Sequence, residues 1–272
     1  MEAEYMIAVY VGIDDWYQAR VGEVKYNPKM TPSEVMWVAV MAAKYFQNHL
    51  ERALQVLCAS GYIPAERCLS ISRFNRQLHQ CRDLLNGCLA WLMELASDVQ
   101  KYITDTQPVP VCKRVRARRC RKVRGRAFCG YCAAKKERYF GWKLHLVTRL
   151  DGCPVAYTLV PAAYHDLTGI YEITYGLPAD ATVFADKAYN CRADEQALHA
   201  LGTRLFPRRR KNMKAQHTPE AEAELRQARP RIETVNSQST NMGLDRLRAR
   251  TNEGFFLKVA ASLFALCTAF FT

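Results

Sequence analysis

The chain lacks three things whose absence narrows its chemistry. No apolar run is long enough to cross a bilayer comfortably, which takes about 20 residues. The most apolar stretch, Val259 to Phe271, is interrupted by Ser262 and Thr268 and preceded by Lys258. A buried C-terminal helix is expected there, not an anchor. The opening Met1-Glu2-Ala3-Glu4 has no basic region of the kind that starts a secretory leader. A cytoplasmic, nucleoid-associated protein is therefore expected, with its 11 cysteines reduced. Internal repeats and low-complexity linkers are also missing. The third shortage is acid: 26 Asp and Glu stand against 39 Lys and Arg, for a formal charge of +13. A protein this basic usually meets a polyanion; the competing reading is a generally basic surface with no partner. Its 272 residues, 49% of them apolar, suffice for one large or two ordinary domains with a real core.

What is present divides into a helical part and a mixed part. Thr31-Pro32-Ser33-Glu34 reads as a helix start, with Thr as cap, Pro in the first turn and Glu closing a capping box. Val35, Val38, Ala39, Ala42 and Phe46 then recur at helical spacing, which predicts a helix, straight or kinked, up to Ala59. Further helices are expected over 70–82 and 84–99. Beyond residue 98 the pattern changes. Tyr102 to Val111 reads as a strand. Phe140, Trp142, Leu144 and Leu146 alternate, Asp151-Gly152 supplies a turn, and Pro154 to Val160 returns as a second strand. A helix over 167–175 capped by Asp166, a short strand over 182–185, a helix over 193–201 and a strand over 203–207 follow. The remainder reads as a polar helix over 220–228, a separate helix carrying Glu233, and the terminal helix. The expected fold is mixed α/β: a helical domain over 1–98, then an α/β domain over 99–272 with a mixed sheet flanked by helices.

Three carboxylates stand out: Asp105 in Tyr-Ile-Thr-Asp-Thr, Asp186 after Thr-Val-Phe-Ala, and Glu233 in Arg-Ile-Glu-Thr-Val-Asn. Each lies in apolar or β-branched sequence, where a lone charge is costly unless it is paired or binds metal. Singly, each also has an ordinary reading as a turn or surface residue. On a helix, Glu233, Asn236, Ser237 and Thr240 would share one polar face, as the wall of a site would. Together, acidic residues within a basic chain suggest metal-assisted cutting of nucleic acid, with hard carboxylate oxygens suited to magnesium.

Several stretches carry a resemblance, and they occur in one order along nearly the whole chain: Ser72-Arg73-Phe74-Asn75-Arg76, Pro108-Val109-Pro110-Val111-Cys112, Gly141-Trp142-Lys143-Leu144-His145-Leu146, His165-Asp166, Ala185-Asp186-Lys187-Ala188-Tyr189 and Ile232-Glu233-Thr234-Val235. In these the chain resembles bacterial DDE transposases with a ribonuclease-H-like core, most closely insertion sequence family 982. The resemblance implies that Asp105, Asp186 and Glu233 form a catalytic triad holding two divalent ions, magnesium or manganese in its place. It further implies double-stranded DNA as partner, both element ends and target, and a homodimer or higher multimer on that DNA. One departure stands out. Where related transposases carry Tyr, Arg, Glu and Lys, this chain has Arg226, Arg229, Glu233 and Thr240. Arg246 or Arg248 could take the place of the missing lysine.

The basic residues fall into groups. Lys113, Arg114, Arg116, Arg118, Arg119, Arg121 and Lys122, with Arg124 and Arg126 behind them, follow the Asp105 strand. Arg208, Arg209, Arg210 and Lys211 lie between Asp186 and Glu233, with Lys187 and Arg229 next to those two acids. All are candidates for phosphate contact; the alternative is a solvated, aggregation-resistant surface. Arg73, Asn75 and Arg76 crowd one short segment, the composition of a recognition helix in a helix-turn-helix module, and Phe74, Leu78 and Cys81 would then be its buried side. Cys129 and Cys132 form one close pair, with Cys112 and Cys120 upstream. A single close pair is not a zinc-ribbon pattern, so structural cysteines are expected rather than a zinc site. His165 has two readings, beside a helix cap or against a phosphate or water; Asn236 would support the site.

Three accounts remain open at this level: a transposase that cuts and joins strands, a nuclease on the same core that only hydrolyses, and a DNA-binding regulator without catalysis.

Overall fold

Thr31 and Glu34 make the cap their spacing calls for. Thr31 Oγ1 accepts from the Glu34 amide at 3.2 Å, and Glu34 Oε2 accepts from the Thr31 amide at 2.7 Å. The computed structural model describes residues 2–22, 28–133, 135–210, 212–213 and 217–271, and divides into two compact units, 1–92 with 239–272 and 93–238.

The first unit is helical. It contains α1 (Ala3–Val21), α2 (Pro32–Phe46), α3 (Leu50–Ala59), α4 (Ile71–Gln80), most of α5 (Arg82–Ala96) and the last helix, α9 (Asn252–Thr268). From Val35 to Ala43 every residue of α2 is buried, and α1, α3 and α9 pack around it. The helix predicted to continue to Ala59 is broken at Gln47 and Asn48, both left-handed at φ 50° and 63°. Asn48 makes that break worthwhile: its side-chain amide donates to Met242 O at 2.9 Å and to Ser262 Oγ at 2.8 Å, and Lys258 Nζ donates to its carbonyl. The apolar C-terminal stretch is a buried helix, and its two polar interruptions are bonded, Ser262 to Asn48 and Thr268 to the Tyr5 hydroxyl at 2.8 Å. Residues 239–272 therefore pack with the N-terminal helices, whereas the sequence pattern groups them with the α/β part. The reason is that α9 is apolar on every side and needs helices all round it. Among the described residues no helix is long and apolar enough to cross a membrane. Cys58 and Cys68 are joined by a disulfide across a Cα separation of 6.3 Å, contrary to the expectation of reduced thiols throughout. That spacing lies within the range a disulfide spans.

The second unit is built on a mixed sheet. Its centre is β1 (Lys101–Lys113), antiparallel to β3 (Glu137–Arg149) on one side and parallel to β5 (Ala181–Ala185) on the other. β6 (Thr203–Pro207) extends the parallel side. The far edge of β3 is shared by β4 (Pro154–Pro161) and β2 (Cys129–Cys132), both antiparallel to it. The β3–β4 hairpin turns at Asp151-Gly152, with Gly152 at φ 100° and Asp151 Oδ1 accepting from the Cys153 amide. One face of the sheet, carrying Tyr102, Val147 and Val183, is covered by Ile170 and Ile173 of α6 (Ile170–Thr174) and Leu198 of α7 (Arg192–Ala200). The other, carrying Ile103 and Phe184, is covered by Leu225, Ala228 and Ile232 of α8 (Pro219–Asn241). The fold is thus the expected mixed α/β one, with helices flanking a mixed sheet and a helical N-terminal part before it.

Two local readings are corrected. The residues expected to form two helices around Pro230 form one, because Leu225, Ala228 and Ile232 hold it on the sheet on both sides of the proline. That burial outweighs the roughly 3 kcal/mol a proline costs a helix interior. The segment after Asp166 is a 3₁₀ turn (Asp166–Gly169) running into α6, and its cap is His165, whose Nδ1 accepts from the Leu167 amide at 3.3 Å.

Candidate functional site

The sheet and α8 bring the three carboxylates of the sequence pattern into one neighbourhood. Asp105 lies mid-way along the central strand β1, opposite Leu146 of β3. Asp186 follows the last residue of β5, the parallel neighbour of β1. Glu233 projects from α8 one residue after the buried Ile232, so packing of that helix fixes its height above the sheet.

Arg229, one turn before Glu233, links two of the acids. Its Nη1 donates to Asp186 Oδ1 at 2.7 Å and its Nε donates to Glu233 Oε1 at 3.0 Å. From the same helix Asn236 donates through Nδ2 to Asp105 Oδ2 at 2.9 Å, and Asp105 Oδ1 accepts from the Thr106 amide at 2.8 Å. Burial pushes the Asp105 carboxyl up to about 6 from 3.8. The Thr106 hydrogen bond and Arg229 oppose the rise, while the charges of Asp186 and Asp166 add to it. Asp105 is thus a carboxylate short of positive charge.

A fourth acid, Asp166, adds its charge to the rise at Asp105 but is bonded to Thr106 and Lys143, whose side chains alternate to the other face of the sheet. Its Oδ1 accepts from Lys143 Nζ at 2.7 Å and from Thr106 Oγ1 at 3.3 Å. In the sequence Asp166 looked like a helix cap. Its bonds depend on Thr106 and Lys143 being diagonal neighbours across the β1–β3 pair, Thr106 opposite His145 and Lys143 opposite Pro108, which only the register reveals. His165 is occupied as a cap and exposed.

The donor chemistry suits a hard divalent cation, since every candidate ligand is a carboxylate oxygen and the most buried one is destabilised as an anion. As placed, the cation between Asp186 and Glu233 is a guanidinium, and among the described residues no three His, Cys, Asp or Glu side chains are gathered closely enough to hold one ion.

The basic candidates separate by what they touch. Arg209 forks onto Glu195, with both bonds at 2.6 Å, and also donates to Asn190 Oδ1. Arg209 is thus engaged by partners within the protein, and Arg229, though part-exposed, is engaged by the carboxylates. Arg208, Arg210 and Lys187 are exposed, and Lys211 lies outside the described residues. In the segment after β1, Lys113, Arg114, Arg116, Arg118, Arg119 and Arg121 are exposed and Lys122 is half-buried. Arg114 Nη1 lies 2.7 Å from Cys129 Sγ, and the Cys112 thiol is hydrogen-bonded to Cys120. In the helical unit, α4 buries Phe74 and Leu78, with Cys81 buried just beyond it, and exposes Arg73 and Arg76, with Asn75 half-exposed.

Comparison with known proteins agrees with this architecture. A family described as Transposase DDE domain matches residues 96–251. A cryo-EM structure of piggyBac transposase, in a synaptic complex with hairpin DNA, superposes with a TM-score of 0.52 at 11% identity, over 96% of this chain and 71% of that one. No curated protein matches the sequence.

Proposed function

The chain belongs to the transposase DDE domain family, and from that premise we propose that it is the transposase of a bacterial insertion sequence, of family 982. In this reading it cuts DNA strands and joins the freed 3′-hydroxyl to a target. The observation that carries the proposal is that Asp105, Asp186 and Glu233 lie on one side of the sheet, with Asp186 and Glu233 bridged by Arg229 and Asp105 bonded to Asn236 of the same helix. The sheet order supports a ribonuclease-H-like core, with β1 central, antiparallel strands on one side and parallel ones on the other.

Asp105, Asp186 and Glu233 are the residues that would hold divalent magnesium or manganese, two ions in the family's manner. When bound, such ions supply an activated nucleophile and charge neutralisation at the phosphate. The chain's own residues do the rest. Asn236 and the Thr106 amide hold the two oxygens of Asp105 in a fixed orientation. Arg229 keeps Asp186 and Glu233 near each other despite their like charge. In hydrolysis, water oxygen bonds to phosphorus and the 3′-oxygen leaves. In joining, that 3′-oxygen bonds in line to a target phosphorus, and the target strand's own 3′-oxygen leaves as a hydroxyl. The exposed basic residues would grip phosphates, and α4 in the helical domain would read element ends through Arg73, Asn75 and Arg76. By family analogy the active form is a multimer gripping two ends.

A strand-transfer assay tests this. Labelled element-end duplex should appear joined to a target plasmid in magnesium or manganese. Hydrolysis without joined product would favour a nuclease on the same core, and neither product would favour a DNA-binding regulator.

A further inference from the structure

Between Asp105 and Glu137 the chain contains no acidic residue. Within this stretch Arg118, Arg119, Arg121 and Arg124 line a concavity of about 710 Å³ whose other walls are Ala117, Cys120 and Gly125. All four arginines are exposed, and among the described residues none of them pairs with a carboxylate. Uncompensated charge of this density is unfavourable in the free protein and is relieved by an anion.

The segment is fixed to the sheet. Val123 is buried, the Ala163 amide donates to Ala127 O at 2.8 Å, and the Phe128 ring packs on Trp142 at 4.9 Å and on Phe140 at 6.1 Å between centroids. The register then places it relative to the carboxylates. Leu146, Trp142 and Phe140 alternate along β3 and so share a face, and Leu146 is the partner of Asp105. The arginine segment is therefore anchored on the Asp105 face of the sheet. It leaves β1 at Lys113, eight residues beyond Asp105. At about 3.3 Å per strand residue that is roughly 26 Å. At about 3.4 Å per base pair, a duplex lying along β1 would cover that span in some seven or eight base pairs.

We infer that this arginine-lined concavity is a phosphate-binding site for the DNA backbone, engaging a duplex that lies along β1 some seven to eight base pairs from the bond cut at Asp105, Asp186 and Glu233. The position rests on the cleavage reading above, whereas the binding does not. Two measurements separate them. The first is the salt dependence of affinity for a 20-base-pair duplex. It compares wild type, a variant combining Arg118→Ala, Arg119→Ala, Arg121→Ala and Arg124→Ala, and the corresponding four-lysine variant. Each lost phosphate contact flattens the log–log slope by about 0.9. The alanine variant should flatten it by about two to four, and the lysine variant, which folds with the same charges, should not. An unchanged alanine slope overturns the site. The second measurement places single neutral methylphosphonates along a cleaved duplex. Those seven to eight base pairs from the cut should slow cleavage by wild type and not by the alanine variant; interference confined to other positions overturns the spacing. A wild type that never cuts, with the slope still flattened in the alanine variant, removes the catalytic reading and leaves the phosphate site standing.

Discussion

Replacing Asp105 with Asn should make the protein more stable at alkaline pH. Burial holds the folded-state carboxyl at about 6 against 3.8, a rise of about two units. At 1.36 kcal/mol per unit this is about 3 kcal/mol. The sign follows from proton binding. Between these values the folded state holds the proton and the unfolded state does not, so the contribution favours folding below about pH 4. It is lost as pH rises through about 6. At pH 8 wild type bears a buried charge that Asp105→Asn removes, while the amide still offers an oxygen to the Thr106 N–H. For a unit of this size, about 3 kcal/mol corresponds to about 6–12 °C in the unfolding midpoint. Thermal unfolding followed by circular dichroism should therefore show the variant ahead by that amount at pH 8 and level with wild type at pH 4. Magnesium at pH 8 should raise the wild-type midpoint and leave the variant largely unmoved. Equal midpoints at pH 8, or the same gain at both pH values, would refute the reasoning that Asp105 is an under-compensated buried acid.

Three further substitutions probe the frame around it. Arg209→Ala should cost about 1–3 kcal/mol, because it removes both charge-assisted bonds from a Glu195 that is only partly buried; Arg208→Ala should be within about 0.5 kcal/mol of wild type in urea unfolding. Gly141→Ala should destabilise the sheet by several kcal/mol or prevent folding, since a Cβ there would lie 2.5 Å from Val111 N and 2.7 Å from Val109 O; soluble yield and urea midpoint report it. Arg229→Ala should cost little stability, its pairs being part-exposed. Because Arg229 also lowers the Asp105 value, the acid limb of the cleavage pH profile should move to higher pH.

Much of this was legible in the residues. Thr31 and Glu34 announce their helix because a capping box is local, and Asp151-Gly152 announces its hairpin for the same reason. The three acids were legible as charges in apolar settings. What could not be read was anything set by pairing between distant strands. Asp166 has its partners only because β1–β3 pairing brings Thr106 and Lys143 near each other. β2, the four residues Cys129-Gly130-Tyr131-Cys132, has no periodicity of its own and exists as a strand because the end of β3 offers an open edge. Pro230 was read as a break, and tertiary packing of Leu225, Ala228 and Ile232 overrides it. Arg209 looked like its neighbours in a basic run, and its inward fork onto Glu195 leaves no trace in the spacing.

The central claim is that Asp105, Asp186 and Glu233 act as one catalytic unit on DNA. Its most direct test is cleavage of an end-labelled element-end duplex in magnesium and in manganese by wild type, Asp105→Asn, Asp186→Asn and Glu233→Gln, each first shown to bind the duplex. The account predicts cutting by wild type alone, with each single substitution abolishing it while binding persists. Cutting at the wild-type rate by any one of the three variants would contradict it.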